Sequence, residues 1–309
     1  MSGWWDPVGP ETTEELLIMK LKFFAVAAAL AVIAAACSSG DSTTAGDSAT
    51  DTAEPTVSTS DSDGDEGPVR TIAAVAADGI TVDGDAADWA DVEGLDMTLE
   101  AISDESVESH DATVKVAHDG TDVYVLFQVD DDYNFDPEDG HLSGAAAVQW
   151  AIDSAAAEHM GAEDDDRDTS FGMVDIWHWE LECAAGEQTG GAVSEPGVDH
   201  DPGNDSACNF DDEWATIPTE REDDNTDTGE NSLLGVWTHT ASTADEAGTW
   251  TFEMSRPLDT GDSQDAQFAM GSTARLAVAY WDADNGPDGW EDEGHVQSAN
   301  QGWIEVAFS

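Results

Sequence analysis

Positive charge is what this chain has least of: 8 Lys plus Arg stand against 69 Asp plus Glu, a formal net charge of -61. No basic stripe is available to meet phosphates, which excludes a duplex nucleic-acid partner. Self-repulsion of this size opposes a compact fold in dilute buffer. Salt near 1 M screens charges more than about 3 Å apart, so the balance suits a protein of an extreme halophile. The acids run through every apparent loop to the last strand, so they are not a tail on an ordinary domain.

Catalytic signatures are missing too. There is no C-x-x-C-H for covalent haem, no G-x-S-x-G and no H-E-x-x-H. Acidic pairs are so common that no two stand out as glycosidase catalysts. No span after Cys37 keeps a 3.6-residue apolar period, which excludes a helical domain. Cysteine is scarce, with Cys37, Cys183 and Cys208 as the whole supply.

What is present begins at the N-terminus. Met19-Lys20-Leu21-Lys22 is a short basic region, followed by an apolar run from Phe23 to Ala36. That run is too short to cross a bilayer comfortably and suits a signal-peptide core. Ala34-Ala35-Ala36-Cys37 is similar to a lipobox, whose cysteine is lipidated. The reading is a mis-set start over 1–18, a lipoprotein signal peptide over 19–36, and a Ser/Thr/Asp-rich tether over 37–68. The tether has too little apolar surface to offset its ordering and is expected to be disordered. Residues 69–309 form the β-domain, held at the extracytoplasmic face of the membrane through Cys37. With Cys37 lipidated, Cys183 and Cys208 are the remaining pair. A disulfide between them would contribute about 3 kcal/mol by restricting the unfolded chain.

From Ile72 onward, short apolar runs alternate with acidic turns. Thr113–Ala117 and Val123–Val129 flank Asp119-Gly120 and predict a hairpin. Further strands are expected at Met173–Leu181, Leu233–Thr238, Thr249–Met254, Arg275–Trp281 and Trp303–Phe308. Ala145–Ile152 reads as a strand by its bounds, although its alanines also suit a helix. The pattern predicts an all-β, two-sheet antiparallel sandwich, immunoglobulin-like, with long acidic loops.

Three segments offer chemistry. Asp130, Asp131, Asp132, Asn134, Asp136, Glu138 and Asp139 supply oxygens for calcium, although the spacing is not that of an EF-hand. In Val174-Asp175-Ile176-Trp177-His178-Trp179, strand alternation puts Trp177 and Trp179 on one face and Ile176 and His178 on the other. A Trp pair can stack on a sugar or a flat macrocycle, or fill a core. His159-Met160-Gly161 places a thioether on a loop. Met and His are ordinary haem ligands, and Met is equally an adaptable filler.

An ordered series of motifs resembles the haem-b-binding gamma subunits of the ethylbenzene dehydrogenase and dimethylsulfide dehydrogenase type. It opens with D-G-x-x-x-D-W at Asp83–Trp89, shared with family 9 carbohydrate-binding modules. It continues through V-K-V-A-H-D-G, V-Y-V-L-F, A-A-A-V-Q-W, H-M-G and V-D-I-W-H-W. W-T-F-E-M-S-R-P-L-D-T-G-D, L-A-V-A-Y-W-D and a final W-I-E-V complete it. The resemblance implies a non-covalent haem b held between a Met and a Lys. It also implies electron transfer between iron–sulfur and molybdenum subunits of an oxidoreductase and a soluble carrier. Carried onto this chain it marks Met160 as the methionine, with Trp177, His178 and Trp179 in the strand supporting the pocket. Beyond the leader the only lysine is Lys115, in an early strand, so the second ligand departs from the family. Met270, before Gly271, is the first choice, with Met254, His239 and His295 as alternatives. Arg256 or Arg275 is the expected partner of a haem propionate. The competing reading is a lipid-anchored carbohydrate- or solute-binding sandwich without haem, stacking ligands on Trp150, Trp177, Trp179 or Trp281. A third is a haemless surface scaffold.

Overall fold

The computed structural model describes residues 69–101, 107–163, 166–181, 183–190, 209–224, 232–286, 289–290 and 294–309. The expected leader, signal peptide and tether, Cys37 and Cys208 all lie outside the described residues.

Strands β1 (Arg70–Ala76), β2 (Leu95–Ala101), β3 (His110–His118), β4 (Asp122–Asp132) and β5 (Ala145–Ala151) come first. They are followed by β6 (Val174–Glu180), β7 (Thr189–Gly190), β8 (Asn209–Ala215), β9 (Arg221–Asp223) and β10 (Leu234–His239). The last are β11 (Ala247–Pro257), β12 (Thr273–Trp281), β13 (Val296–Gln297) and β14 (Ile304–Phe308). Helix is confined, among the described residues, to three short 3-10 turns. The Asp119-Gly120 hairpin forms as expected, with Asp119 Oδ1 accepting from the Thr121 and Asp122 amides at 2.7 and 2.8 Å. The alanine-rich β5 is a strand because β12 and β6 both pair with it, satisfying its backbone on two sides.

All strands belong to one hydrogen-bonded sheet, and this corrects the expected pair of separate sheets. The reason lies in β1. Arg70–Ala74 pair in parallel with β14, and Val75–Ala76 then pair in parallel with β3, so one strand stitches two layers together. On the other side β13 bridges β12 to β2, and β2 returns to β3. The result is a closed ring of six strands, β3-β1-β14-β12-β13-β2. Two wings leave it, β4-β11-β10-β7 and β5-β6-β8-β9.

The inner faces of the wings share one core. Trp150, Trp177 and Trp179 come from one wing, Trp237, Trp250 and Phe252 from the other, and all are fully buried. Trp179 stacks on Phe210 at 4.1 Å between ring centroids, and Trp150 meets Trp177 at 5.8 Å. Truncating any one of these tryptophans to Ala would cost about 3–5 kcal/mol.

The D-G-x-x-x-D-W opening is a latch on this core. Trp89 Nε1 donates to Glu253 Oε1 at 2.6 Å, while the Asp83 and Gly84 amides donate to Glu253 Oε2 at 2.9 and 2.8 Å. The buried carboxylate of β11 is thereby satisfied by three donors from the opening turn. Lys115 Nζ donates to the Trp89 carbonyl at 3.0 Å, so this lysine belongs to the same latch.

Candidate functional site

The outer face of β5 and β12 is built almost entirely from small side chains. Strand alternation sends Ala146, Val148 and Trp150 into the core and leaves Ala145, Ala147, Gln149 and Ala151 on the opposite face. The same alternation in β12 leaves Ala277, Ala279 and Trp281 there, with Ala147 beside Ala279 and Gln149 beside Ala277. The neighbouring strand β6 adds Ile176 and His178. Alanine lays a flat apolar floor and leaves room above it.

A tight loop overhangs that floor. The His159 amide donates to the Ala162 carbonyl and the Ala162 amide to the His159 carbonyl, both at 3.0 Å. Met160 has φ 50° and Gly161 φ 90°, so the turn is of the type needing left-handed backbone at both central positions. Gly161 is there by necessity: a Cβ would lie 2.3 Å from the Gly172 carbonyl oxygen and 2.5 Å from that of Thr216. Met160 has no such reason. A β-carbon in this region costs roughly 1–2 kcal/mol, and Asn, Asp or Gly are the ordinary occupants. Gln149 pins the loop from below, donating to the Glu158 carbonyl at 2.9 Å and accepting from the Met160 amide at 3.1 Å. The strained methionine is thus held by a side chain rising from the floor, the pattern in which strain marks function.

Floor and loop enclose a cavity of about 100 Å³. That is below the roughly 300–1,000 Å³ of small-molecule and cofactor sites. Ala147, Ile176, Ala277, Ala279 and Trp281 form apolar walls, and Met160, His159, His295, Gln297 and Arg167 bring the polar chemistry. His295 lies with its ring 4.5 Å from that of Trp281. Desolvation dominates its environment and lowers its pKa to about 4, so the imidazole is neutral at pH 7. A thioether, a neutral imidazole and a flat apolar floor suit a borderline-soft metal in a planar macrocycle. The lining residues offer the donor types that a b-type haem uses, while the enclosed space is smaller than a tetrapyrrole.

The other expected site residues fall elsewhere. Trp177 and Trp179 point into the core, on the face of β6 away from the cleft, which corrects their assignment to cofactor contact. His178 does face the cleft side, but its ring is buried beside Trp281 at 5.2 Å. Its nitrogens lie 3.6 Å from Glu213 and 3.9 Å from Glu180. Met270 sits on a turn, 48% exposed, and does not line the cleft. Met254 is wholly buried in the core. His239 packs on Trp250 at 4.6 Å, with Nε2 3.3 Å from the Asp131 carbonyl. Of the second-ligand alternatives, His295 is the one that shares a cavity with Met160.

Arg256 is corrected as a propionate partner. It is buried, donating from Nη1 to Asp175 at 2.7 Å and from Nη2 to Asp212 at 3.1 Å, and it also pairs with Asp265. Ser232 Oγ accepts from Nε and Nη2, and the Trp177 ring stands 5.6 Å from the guanidinium carbon. All its donors face partners inside the protein. The guanidinium that does reach the cleft is Arg167. Sequence reasoning passed over it because it sits in an acidic loop with no periodic signal.

The acids at 130–139 do not gather as one calcium loop. Asp131 accepts from Tyr280 Oη at 2.7 Å and groups with His110 and Asp282, while Asp132 groups with Asp245 and Asp284. Asp136 and Asp139 accept from the Glu138 and His141 amides two residues on, as turn residues do. Cys183 is buried and accepts from Trp237 Nε1 at 3.3 Å; its expected partner Cys208 is outside the described residues.

The scaffold is all-β, with this cavity on its outer face. The family follows from a direct match. The model of the ethylbenzene dehydrogenase family matches residues 86–293, and the chain belongs to that family. Among solved structures, a putative carbohydrate-binding protein from Bacteroides uniformis is similar with a TM-score of 0.44 and 9% identity. It covers 78% of this chain and 99% of that one. A family 9 carbohydrate-binding module from Caldicellulosiruptor kristjanssonii, in complex with cellotriose, gives 0.39 and 11%, covering 78% and 95%. No curated protein matches.

Proposed function

We propose that this chain is an extracytoplasmic haem b-binding electron-transfer subunit associated with a molybdenum oxidoreductase. One observation carries the reading: the Met160 sulfur-bearing side chain, on a strained turn, lines a cleft floored by alanines in a member of this family. A haem bound there supplies a one-electron couple. The chain's own residues hold and insulate it. Met160 would offer a thioether to such a group, the alanine floor and Trp281 would keep water from it, and Arg167 would meet its carboxylates. Electrons pass to and from iron–sulfur and molybdenum subunits or a soluble carrier. The lipobox-like sequence at Cys37 would keep the domain at the membrane of a haloarchaeon.

The test is a reduced-minus-oxidised absorption spectrum of protein purified in molar salt with haem supplied. Sharp b-type bands that disappear in Met160→Ala are expected. A colourless, folded protein that shifts on a glycan array would overturn the proposal in favour of a carbohydrate-binding module. Calcium is not part of this reading.

A further inference from the structure

A second polar group gathers where β3 begins, β4 ends and β12 gives way to a turn. His110 opens β3, Asp131 lies one residue from the end of β4, and Asp282 follows the last residue of β12. Their donor atoms, one from each residue, all lie within 4.8 Å of one another. Each acid is anchored by further contacts. Asp131 Oδ2 accepts from Tyr280 Oη at 2.7 Å and Oδ1 from the Asp132 amide at 2.8 Å. Asp282 Oδ1 accepts from the Asp284 amide at 2.7 Å, which leaves Oδ2 turned to the imidazole. The Tyr280 ring meets that of His110 edge-on, 5.2 Å between centroids, so one side chain of β12 steadies two members of the group.

The histidine makes this more than an acidic cluster. His110 is 6% exposed. Its Nδ1 lies 3.3 Å from the Asp130 carbonyl, an oxygen that only accepts, so Nδ1 carries the ring proton. Nε2 is buried, has no hydrogen-bond partner, and stands 3.3 Å from Asp282 Oδ2. The carboxylate is therefore off the line along which an Nε2–H would donate. A bare nitrogen lone pair and a carboxylate facing each other at that distance repel unless a cation sits between them. The spacing is that of two ligands sharing one ion: donors about 2.1 Å from zinc in a tetrahedral shell stand about 3.4 Å apart. A ring N–H anchored on a backbone carbonyl, with the other nitrogen turned to the donors, is the pattern that metal-bound histidines show. His118 and His178 also have buried nitrogens without hydrogen bonds, but among the described residues neither belongs to such a trio.

We infer that His110, Asp131 and Asp282 hold a divalent transition-metal ion of the zinc class, through Nε2 and one oxygen of each carboxylate. Nitrogen beside oxygen selects such an ion over calcium, which takes oxygens alone. Two carboxylates balance its charge, and with three protein ligands water completes the shell. Asp132, Asp245 and Asp284 form a more exposed acid trio beside the site, and their field draws cations toward it. The site stands apart from the haem reading and does not depend on it.

The experiment uses the full chain in molar NaCl without haem, stripped by a chelator and then titrated with Zn²⁺ or Co²⁺ alone. One equivalent per chain is expected to survive desalting and to raise the melting temperature. With Co²⁺ it should also show the visible d–d bands of a mixed nitrogen and oxygen shell. His110→Asn should weaken binding at least about 100-fold and abolish the bands. Asp282→Asn reads the same loss should the histidine variant fail to fold. Tyr280→Phe, which keeps the ring and loses the hydrogen bond to Asp131, should weaken binding about 10–100-fold. A wild type that retains no ion, as an imidazolium paired with two carboxylates would, overturns the inference. So does binding unchanged in His110→Asn, or Zn²⁺ displaced by an equal concentration of Ca²⁺, since carboxylates alone would then be the ligands.

Discussion

Met160 is the residue at which local energetics and packing disagree. Its backbone is left-handed, its side chain only half-buried, and the cheaper Gly or Asn would make the same turn. Replacing it with Gly is expected to stabilise the protein by about 1 kcal/mol, since the β-carbon strain disappears faster than chain entropy rises. The same variant should lose the haem bands. A thermal melt alongside the spectrum checks both, and a Met160→Gly protein less stable than wild type would mean the side chain serves packing. The motif H-M-G was visible in the sequence, but its meaning was not. That meaning depends on Gln149, eleven positions earlier and a strand away, which holds the Met160 amide.

At the scale of elements, what could be read from the sequence was the set of strands with apolar alternation. The partition of V-D-I-W-H-W into a tryptophan face and an Ile/His face was also legible, because strand periodicity alone dictates it. The direction of each face was not: nothing local says that the tryptophans turn inward. Strand β8 was missed for a sharper reason. Its sequence Asn-Phe-Asp-Asp-Glu-Trp-Ala reads as a polar loop, yet Asp211, Asp212 and Glu213 are all buried. Asp212 is met by Arg256 from β11, and Glu213 lies 3.4 Å from Arg221 and 3.6 Å from His178. Arg256 and His178 lie too far along the chain to leave a trace in a sequence window.

This buried acid cluster has a pH signature. Desolvation, then the charge of Asp265, pushes Asp224 up to about 8, and desolvation raises Asp175 to about 6 despite Arg256. A carboxyl whose folded pKa exceeds its unfolded one binds more protons when folded, so its stabilisation is complete below about pH 4. That contribution is lost as pH rises through about 6 for Asp175 and about 8 for Asp224. Melting temperature at fixed high salt is therefore expected to fall between about pH 7 and pH 9, above the range in which His295, its pKa lowered to about 4, adds stability as pH rises. Asp224→Asn should flatten the upper part of that slope and raise stability at pH 8.5. An unchanged slope in the variant would show that Asp224 ionises like an ordinary surface acid.

Across the whole molecule, the dominant fact is the chain's net charge of -61 set against a dry aromatic core in its β-domain. The core favours folding at any ionic strength, whereas the surface acids repel each other over a distance set by salt. The midpoint of thermal unfolding should rise steeply between 0.1 and about 1 M NaCl, as the screening length falls from about 10 to 3 Å. Potassium chloride should act almost equally, since screening is blind to ion identity. A melt insensitive to salt would show that the acids are already balanced within the fold.

The six-strand ring sets the order in which this protein can become itself. Its first strand is completed by its last: Arg70 through Ala74 find their partners only at Ile304 to Phe308. Until those closing residues exist, Arg70–Ala74, most of β1, has an open edge, and pairing so distant in sequence is slow to nucleate. A nascent copy lacking its final few residues would be an unclosed hoop, exposed to pairing with its neighbours, which makes the C-terminal tip the costliest place to truncate this chain.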